Sequence, residues 1–192
     1  TRLLLDLVTV PTGESDTDVA LRRELAERLL PSALVGADAL SVHRLLRRLN
    51  AARALAAEEA GDETAPIPLT VADLVADPET WRATLEKGAE APGRRGWNDR
   101  SLARALTKAA AMWELALSGG ERPQERLWSL WEACGVGEEW RDRAIASDEA
   151  SAWFDDQLDA VVALMRVADV WEQRNPAGSA RDFASELLAG SV

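Results

Sequence analysis

Helical periodicity runs the length of this chain, and it rules out most architectures. Apolar residues recur three and four positions apart, whereas alternating β-branched and aromatic runs closed by Asn-Gly or Asp-Gly turns are nearly absent. A sheet needs period-two patterning. The sequence therefore predicts an all-α fold, an irregular bundle of about eight to ten helices with no sheet. The length of 192 residues suffices for a proper core, and 47% hydrophobic with 29% charged residues describes a globular chain rather than a disordered one. No run approaches the roughly 20 apolar residues that span a bilayer, so a membrane is not an expected partner.

Helix starts and stops punctuate the pattern. Leu3 to Val10 is a short apolar element stopped by Pro11 and Gly13. Asp16 or Asp18 can cap a helix through Leu30 that places Leu21, Leu25 and Leu29 on one face. Ser32 to Ala37 is a tight connector, and Asp38 caps a long helix toward Ala60 with Leu45, Leu49 and Ala52 as its apolar stripe. Gly61 to Pro68 reads as a linker, Thr70-x-x-Asp73 as a capping-box start, and Asp77-Pro78 as another helix start. Gly88 to Gly96 is the stronger loop by composition. A helix from Asn98 then runs to Ser118 and stops at Gly119-Gly120. Pro123 opens a helix that ends at Gly135, and a short helix surrounds Trp140. A long helix spans about Asp148 to Arg174, and Ser179-x-x-Asp182 starts the last one, to Leu188. These signals describe a single helical domain over residues 1–192, with a subdomain break near 61–68 or 88–96.

Acidic residues outnumber basic ones by 33 to 22, a net charge of −11 that argues against broad coating of nucleic acid but leaves room for a local basic patch. The single cysteine, Cys134, cannot form a disulfide within the chain, nor a zinc site with the single histidine, His43. A reducing, cytoplasmic compartment is expected. The chain opens without Met on the apolar run Leu3-Leu4-Leu5, which reads as a segment of a longer protein.

Catalytic signatures are missing from the sequence. GxxxxGK[ST], HExxH, CxxC and GxSxG do not occur, and His43 has no carboxylate at helical spacing to orient it. Asp155, Asp156 and Asp159 cluster with Asp148 and Glu149 near a helix start, where acidic side chains complement the helix dipole. No catalytic or metal-ligating residue is assigned, and no cofactor is expected within this segment.

Two basic features remain as candidates for contact with a DNA backbone. In the first, Arg94 and Arg95 on the glycine-rich loop lead through Trp97 to Arg100, Arg104 and Lys108, spaced i, i+4, i+8 along one helix face. In the second, Gly36 and Ala37 precede the helix that carries Arg44, Arg47 and Arg48. A glycine there lets the backbone approach a phosphate, although Asp38 at the cap competes for the same N–H groups.

Three segments resemble the accessory helical region of UvrD/Rep-type superfamily 1 DNA helicases, closest to the actinobacterial AdnAB-type helicase–nucleases. Leu34-Val35-Gly36-Ala37-Asp38-Ala39-Leu40 falls where such helicases carry a Gly-x-Gly turn opening a helix, with Leu34 in place of the first glycine. Leu127-Trp128-Ser129-Leu130-Trp131-Glu132-Ala133-Cys134-Gly135 is similar to an LWxLWExSG stretch. Leu158-Asp159-Ala160-Val161-Val162-Ala163-Leu164, then Pro176 and Phe183-Ala184-Ser185-Glu186-Leu187-Leu188, is similar to an LDAVxALF…P…FLxxL ending. The resemblance implies a 2B-like insert of an ATP-dependent helicase that contacts or gates duplex or junction DNA during unwinding and repair. ATP and Mg²⁺ would be bound by motor domains of the same parent chain, and a partner helicase–nuclease subunit is a further implied neighbour. A helical protein–protein interaction or scaffold module is the other reading, and the exposure of Trp128 and Trp131 discriminates the two.

Overall fold

The computed structural model describes residues 2–13, 15–61, 64–90, 93–118, 122–146 and 149–190, without the side chains of Arg94 and Arg95. All regular structure among them is helical: α1 (Arg2–Val8), α2 (Asp16–Leu29), α3 (Ala39–Glu59), α4 (Val71–Ala76), α5 (Glu79–Ala89), α6 (Arg94–Ser118), α7 (Pro123–Cys134), α8 (Gly137–Ile145), α9 (Ser151–Arg174) and α10 (Ala180–Ala189). None is long and apolar enough to cross a membrane. The chain separates into two compact units, one of residues 1–13 with 112–192 and the other of residues 14–111. The two loops considered as breaks, 61–68 and 88–96, both lie inside the second unit.

In the first unit, α7 is the hub, packing against α1, α8, α9 and α10. Leu4 and Leu7 of α1, Leu127 and Leu130 of α7, and Phe183 of α10 are buried. Of its tryptophans, Trp113 and Trp140 are buried, Trp131 and Trp171 half-buried, and Trp128 and Trp153 exposed. Trp140 meets Trp131, Trp153 and Phe154 edge-to-face at 5.5, 5.7 and 6.3 Å, the arrangement that ring quadrupoles favour. Trp171 packs on Phe183 at 5.6 Å and donates its indole N–H to Glu186 Oε2 at 2.8 Å. Arg181 ties α10 to the end of α1 through a 2.7 Å bond to the Val10 carbonyl. The long C-terminal helix was expected from Asp148, which lies outside the described residues; among those described, it begins at Ser151.

The second unit packs α2 against α4 and α5 against both α3 and α4. Leu25, Leu29, Leu45, Leu49, Leu74, Trp81 and Leu85 form its core, and the Trp81 indole N–H is satisfied by the Leu74 carbonyl at 2.8 Å. Two details of the expected apolar faces change. Leu21 is 49% exposed, because a four-residue step advances about 40° beyond a full turn and two such steps carry it off the Leu25–Leu29 face. The cap of α2 is Ser15, whose hydroxyl accepts from the Asp18 N–H at 3.2 Å, rather than either aspartate. Ala52 is exposed as well, because α3 leaves the core after Leu49 and runs on through an alanine-rich stretch in solvent. Its departure is clamped: the Asn50 amide accepts from the Leu69 N–H at 2.7 Å and donates to the Leu69 carbonyl at 3.2 Å.

The glycine-rich stretch 88–96 is shorter as a loop than its composition implies. α5 continues through Gly88 to Ala89, and α6 begins at Arg94. Gly88 is helical for a packing reason: a Cβ there would lie 1.9 Å from Asp99 Oδ2. In an open helix, Gly→Ala adds up to about 1 kcal/mol of stability. At this position the clash reverses the sign, and Gly88→Ala is expected to destabilise the protein by about 1–3 kcal/mol in a urea titration followed by circular dichroism. A gain of stability would show that Asp99 does not approach α5.

Candidate nucleic-acid interface

Asp99 is buried near the start of α6, and a buried carboxylate needs partners. Arg48 supplies them as a fork: Nη1 to Oδ2 and Nη2 to Oδ1, each at 3.2 Å. This pair joins α3 to α6, the two helices that carry the two basic features. Arg48 is therefore a structural cation, and its buried Nε has no hydrogen-bond partner among the described residues. Nothing in the sequence pointed to Asp99, because the partners are 51 positions apart and periodicity reports only neighbours on one helix.

The remaining basic residues divide by what they touch. Arg44 and Arg47 on α3 and Arg104 on α6 are exposed. Arg100, also exposed, is tethered by a 2.6 Å bond from Nη1 to the Ala89 carbonyl, where it serves the carboxyl end of α5. Lys108 is half-buried. Trp97 is 60% exposed and stands one residue before Asn98 in the first turns of α6, open to solvent as a stacking surface must be. Arg94 and Arg95 belong to the α6 backbone rather than to a loop, and their side chains lie outside the described residues.

The turn at Gly36 has the backbone that its glycine implies, φ +72°, in open space. Its amides are already engaged, however. Gly36 N–H donates to Ser32 O at 2.7 Å and Ala37 N–H to Leu30 O at 2.9 Å. Asp38 closes the start of α3 by accepting from the Ser41 N–H at 2.8 Å and the Ser41 hydroxyl at 2.7 Å. The Ser41 hydroxyl and backbone N–H, with a smaller contribution from nearby Arg44, hold the Asp38 carboxyl below its ordinary value of 3.8. A fixed negative charge thus stands where a phosphate would have to sit. Among the exposed groups, Arg44, Arg47 and Arg104 are better placed for a DNA backbone than the Gly36 turn.

Comparison with known protein families, with curated proteins and with solved structures finds no match to this chain.

Asp155, Asp156 and Asp159 are exposed on α9, and among the described residues no three His, Cys, Asp or Glu side chains group as a metal site would require. Cys134 is buried and directs its thiol to the Trp131 carbonyl at 2.9 Å. His43 is exposed on α3, at the edge of an apolar cavity of about 180 Å³. That cavity is walled by Leu30, Ala37, Val42, Leu46 and Val71, and no motif announced it.

Two predictions follow from these contacts. Asp99→Ala strands the Arg48 guanidinium and is expected to lower unfolding free energy by about 1–3 kcal/mol, with Arg48→Met in the same background recovering part of the loss in urea titrations. The second concerns acid. The Asp38 carboxyl is held below 3.8, as is that of Asp182, which caps α10 by accepting from the Ser179 hydroxyl and N–H. A depressed carboxyl stabilises the fold above 3.8 and loses that effect as pH falls through its lower folded-state value. The melting midpoint is therefore expected to drop as pH is taken below 3.8, and Asp38→Asn with Asp182→Asn should flatten that drop.

Proposed function

We propose that this chain is a non-catalytic accessory domain of an ATP-dependent DNA helicase of the UvrD/Rep type, closest to the AdnAB-type helicase–nucleases, working in the cytoplasm. The reading is supported above all by how the resembling segments sit in the fold. Leu34 to Leu40 is the turn that opens α3. Leu127 to Gly135 is α7 with its closing glycine, and the α9 and α10 segments both pack on that same helix. The second and third segments, far apart in sequence, thus share the core of the first unit, while the first segment lies in the second unit.

In this role the chain turns over no substrate. ATP and Mg²⁺ would belong to the motor domains, and the second unit would touch the DNA backbone through Arg44, Arg47 and Arg104. The Arg48–Asp99 fork keeps the two helices bearing them in fixed register. Three phosphate contacts against a net charge of −11 make for weak, salt-sensitive binding.

Fluorescence anisotropy with a labelled duplex carrying a single-stranded tail tests this. Expected are a dissociation constant of about 10–100 µM at low salt and a slope of log K against log salt of roughly −2 to −3. Arg44→Glu, Arg47→Glu and Arg104→Glu together should abolish binding. Absence of binding at low salt would eliminate direct DNA contact. The second reading, a protein interaction module, would then stand on the partial exposure of this tryptophan pair: Trp128 is 51% exposed with its indole N–H on Glu132, while Trp131 is half-buried against Trp140.

A further inference from the structure

α9 is apolar on two sides. One side buries Val161, Leu164, Met165 and Ala168 as the helix packs against α7 and α8. The other faces solvent and carries Val162, Val167 and Val170 at 46, 45 and 44% exposure, with exposed Ala163 among them. Valine is a middling helix former, and an exposed position gives it no burial in return. Trp153, Asp156, Ala160, Ala163, Val167 and Val170 also follow the alternating three- and four-residue spacing of a coiled-coil seam. That seam runs about 25 Å along the helix. Such a face is shaped to meet another helix.

Charge along that face selects the partner and its direction. Asp155, Asp156 and Asp159 are exposed in its first half, Arg166 and Arg174 in its second, and Glu149 in the preceding turn adds to the acidic end. A parallel copy would set like charge against like, whereas an antiparallel copy sets acid against base. With Ala160 of one copy opposite Ala163 of the other, Trp153 meets Val170, and Arg166 arrives between Asp156 and Asp159. Alanines at the centre let the two helix axes approach closely. The flanking charges are engaged away from the seam. Asp169 and Glu172 line a polar pocket with Arg122, Asp169 accepting from the Gln173 amide and Glu172 from the Gln124 N–H. Glu186 accepts from the Trp171 indole, Arg143 lies over the Phe154 ring, and Arg141 pairs with Asp142.

We propose that two copies of this chain associate through α9, antiparallel about a two-fold axis beside Ala160 and Ala163. Each copy offers the same acidic half and the same basic half, so a single contact closes the assembly. One helix pair of this length falls below the roughly 1,200 Å² of stable complexes, which places the dimer in the weak, reversible class. The association stands on α9 alone and holds whether or not the arginines of α3 and α6 touch DNA.

Sedimentation equilibrium of the 192-residue chain from about 10 µM to about 1 mM reads this directly. The expected result is a monomer–dimer equilibrium that Val167→Glu combined with Val170→Glu weakens at least about tenfold. Asp159→Arg and Arg166→Asp, each alone, set like charges together in both symmetry-related pairs and should weaken it about fivefold or more. In an equimolar mixture of those two variants every altered residue meets the opposite charge, so association should return to near the parental strength. The substituted positions are all exposed, and circular dichroism spectra unchanged from the parent establish that the variants fold. A chain that stays monomeric throughout overturns the proposal and leaves the face to a different partner. Association that survives the valine substitutions overturns it equally, as does a mixture that regains nothing.

Discussion

The Arg48–Asp99 fork is the contact on which the second unit depends. It spans 51 positions of sequence, joins α3 to α6, and presses its carboxylate against the backbone of α5 at Gly88. Any side chain at 88 would occupy the space of the Asp99 carboxylate, so glycine, aspartate and arginine form one unit of design in three separate helices. Low-dielectric pairing of this kind contributes little net stability compared with an apolar contact of the same volume. Its effect is register. A fork geometry with two parallel bonds has one acceptable alignment, whereas leucines slide past one another with small penalties.

That contact also marks where the sequence stops being readable. Periodicity and caps located every helix, because those signals lie within a turn or two of the residues that carry them: Asp38 with Ser41, Thr70 with Asp73, Ser179 with Asp182. Helix ends went astray where tertiary packing overrode local chemistry. Gly88 and Gly96 resemble loop residues, yet Gly88 is helical because a neighbouring helix needs the room, and Gly96 is buried in the first turn of α6. Leu21 and Ala52 fit an apolar stripe on paper, but the stripe drifts around the helix and the core ends before it reaches them. The candidate interface was legible only as a set of cations. Which of them is bound, as Arg48 and Arg100 are, and which faces water, as Arg44, Arg47 and Arg104 do, is decided by partners far away in sequence.

Helix termini illustrate the same division. A glycine before a helix is a well-founded sign of an anion site when the first N–H groups are free. Here Ser32 and Leu30 carbonyls take the amides of Gly36 and Ala37, and Asp38 places its own charge at the entrance. The carboxylate performs internally the task an external phosphate would perform, and it is held ionised by the same Ser41 bonds that make it a good cap. A turn built this way fixes the entry of α3 without recruiting a ligand, which moves any contact with polyanions to side chains further along the helix.

Beyond Asn50, α3 takes on a different character from the rest of the molecule. Isolated helices of this length are marginal in water, and most helical stability in proteins comes from a packed face. The stretch from Ala51 to Ala60 is exposed nearly throughout, so it persists through propensity: alanine, leucine, arginine and glutamate are its only residues and all are strong helix formers. A sequence that maintains a helix without burying it, and then clamps the returning chain at Leu69 with a side-chain amide, is shaped to project rather than to pack. On that return, the prolines on either side of Ile67 stiffen the backbone and leave its side chain 85% exposed.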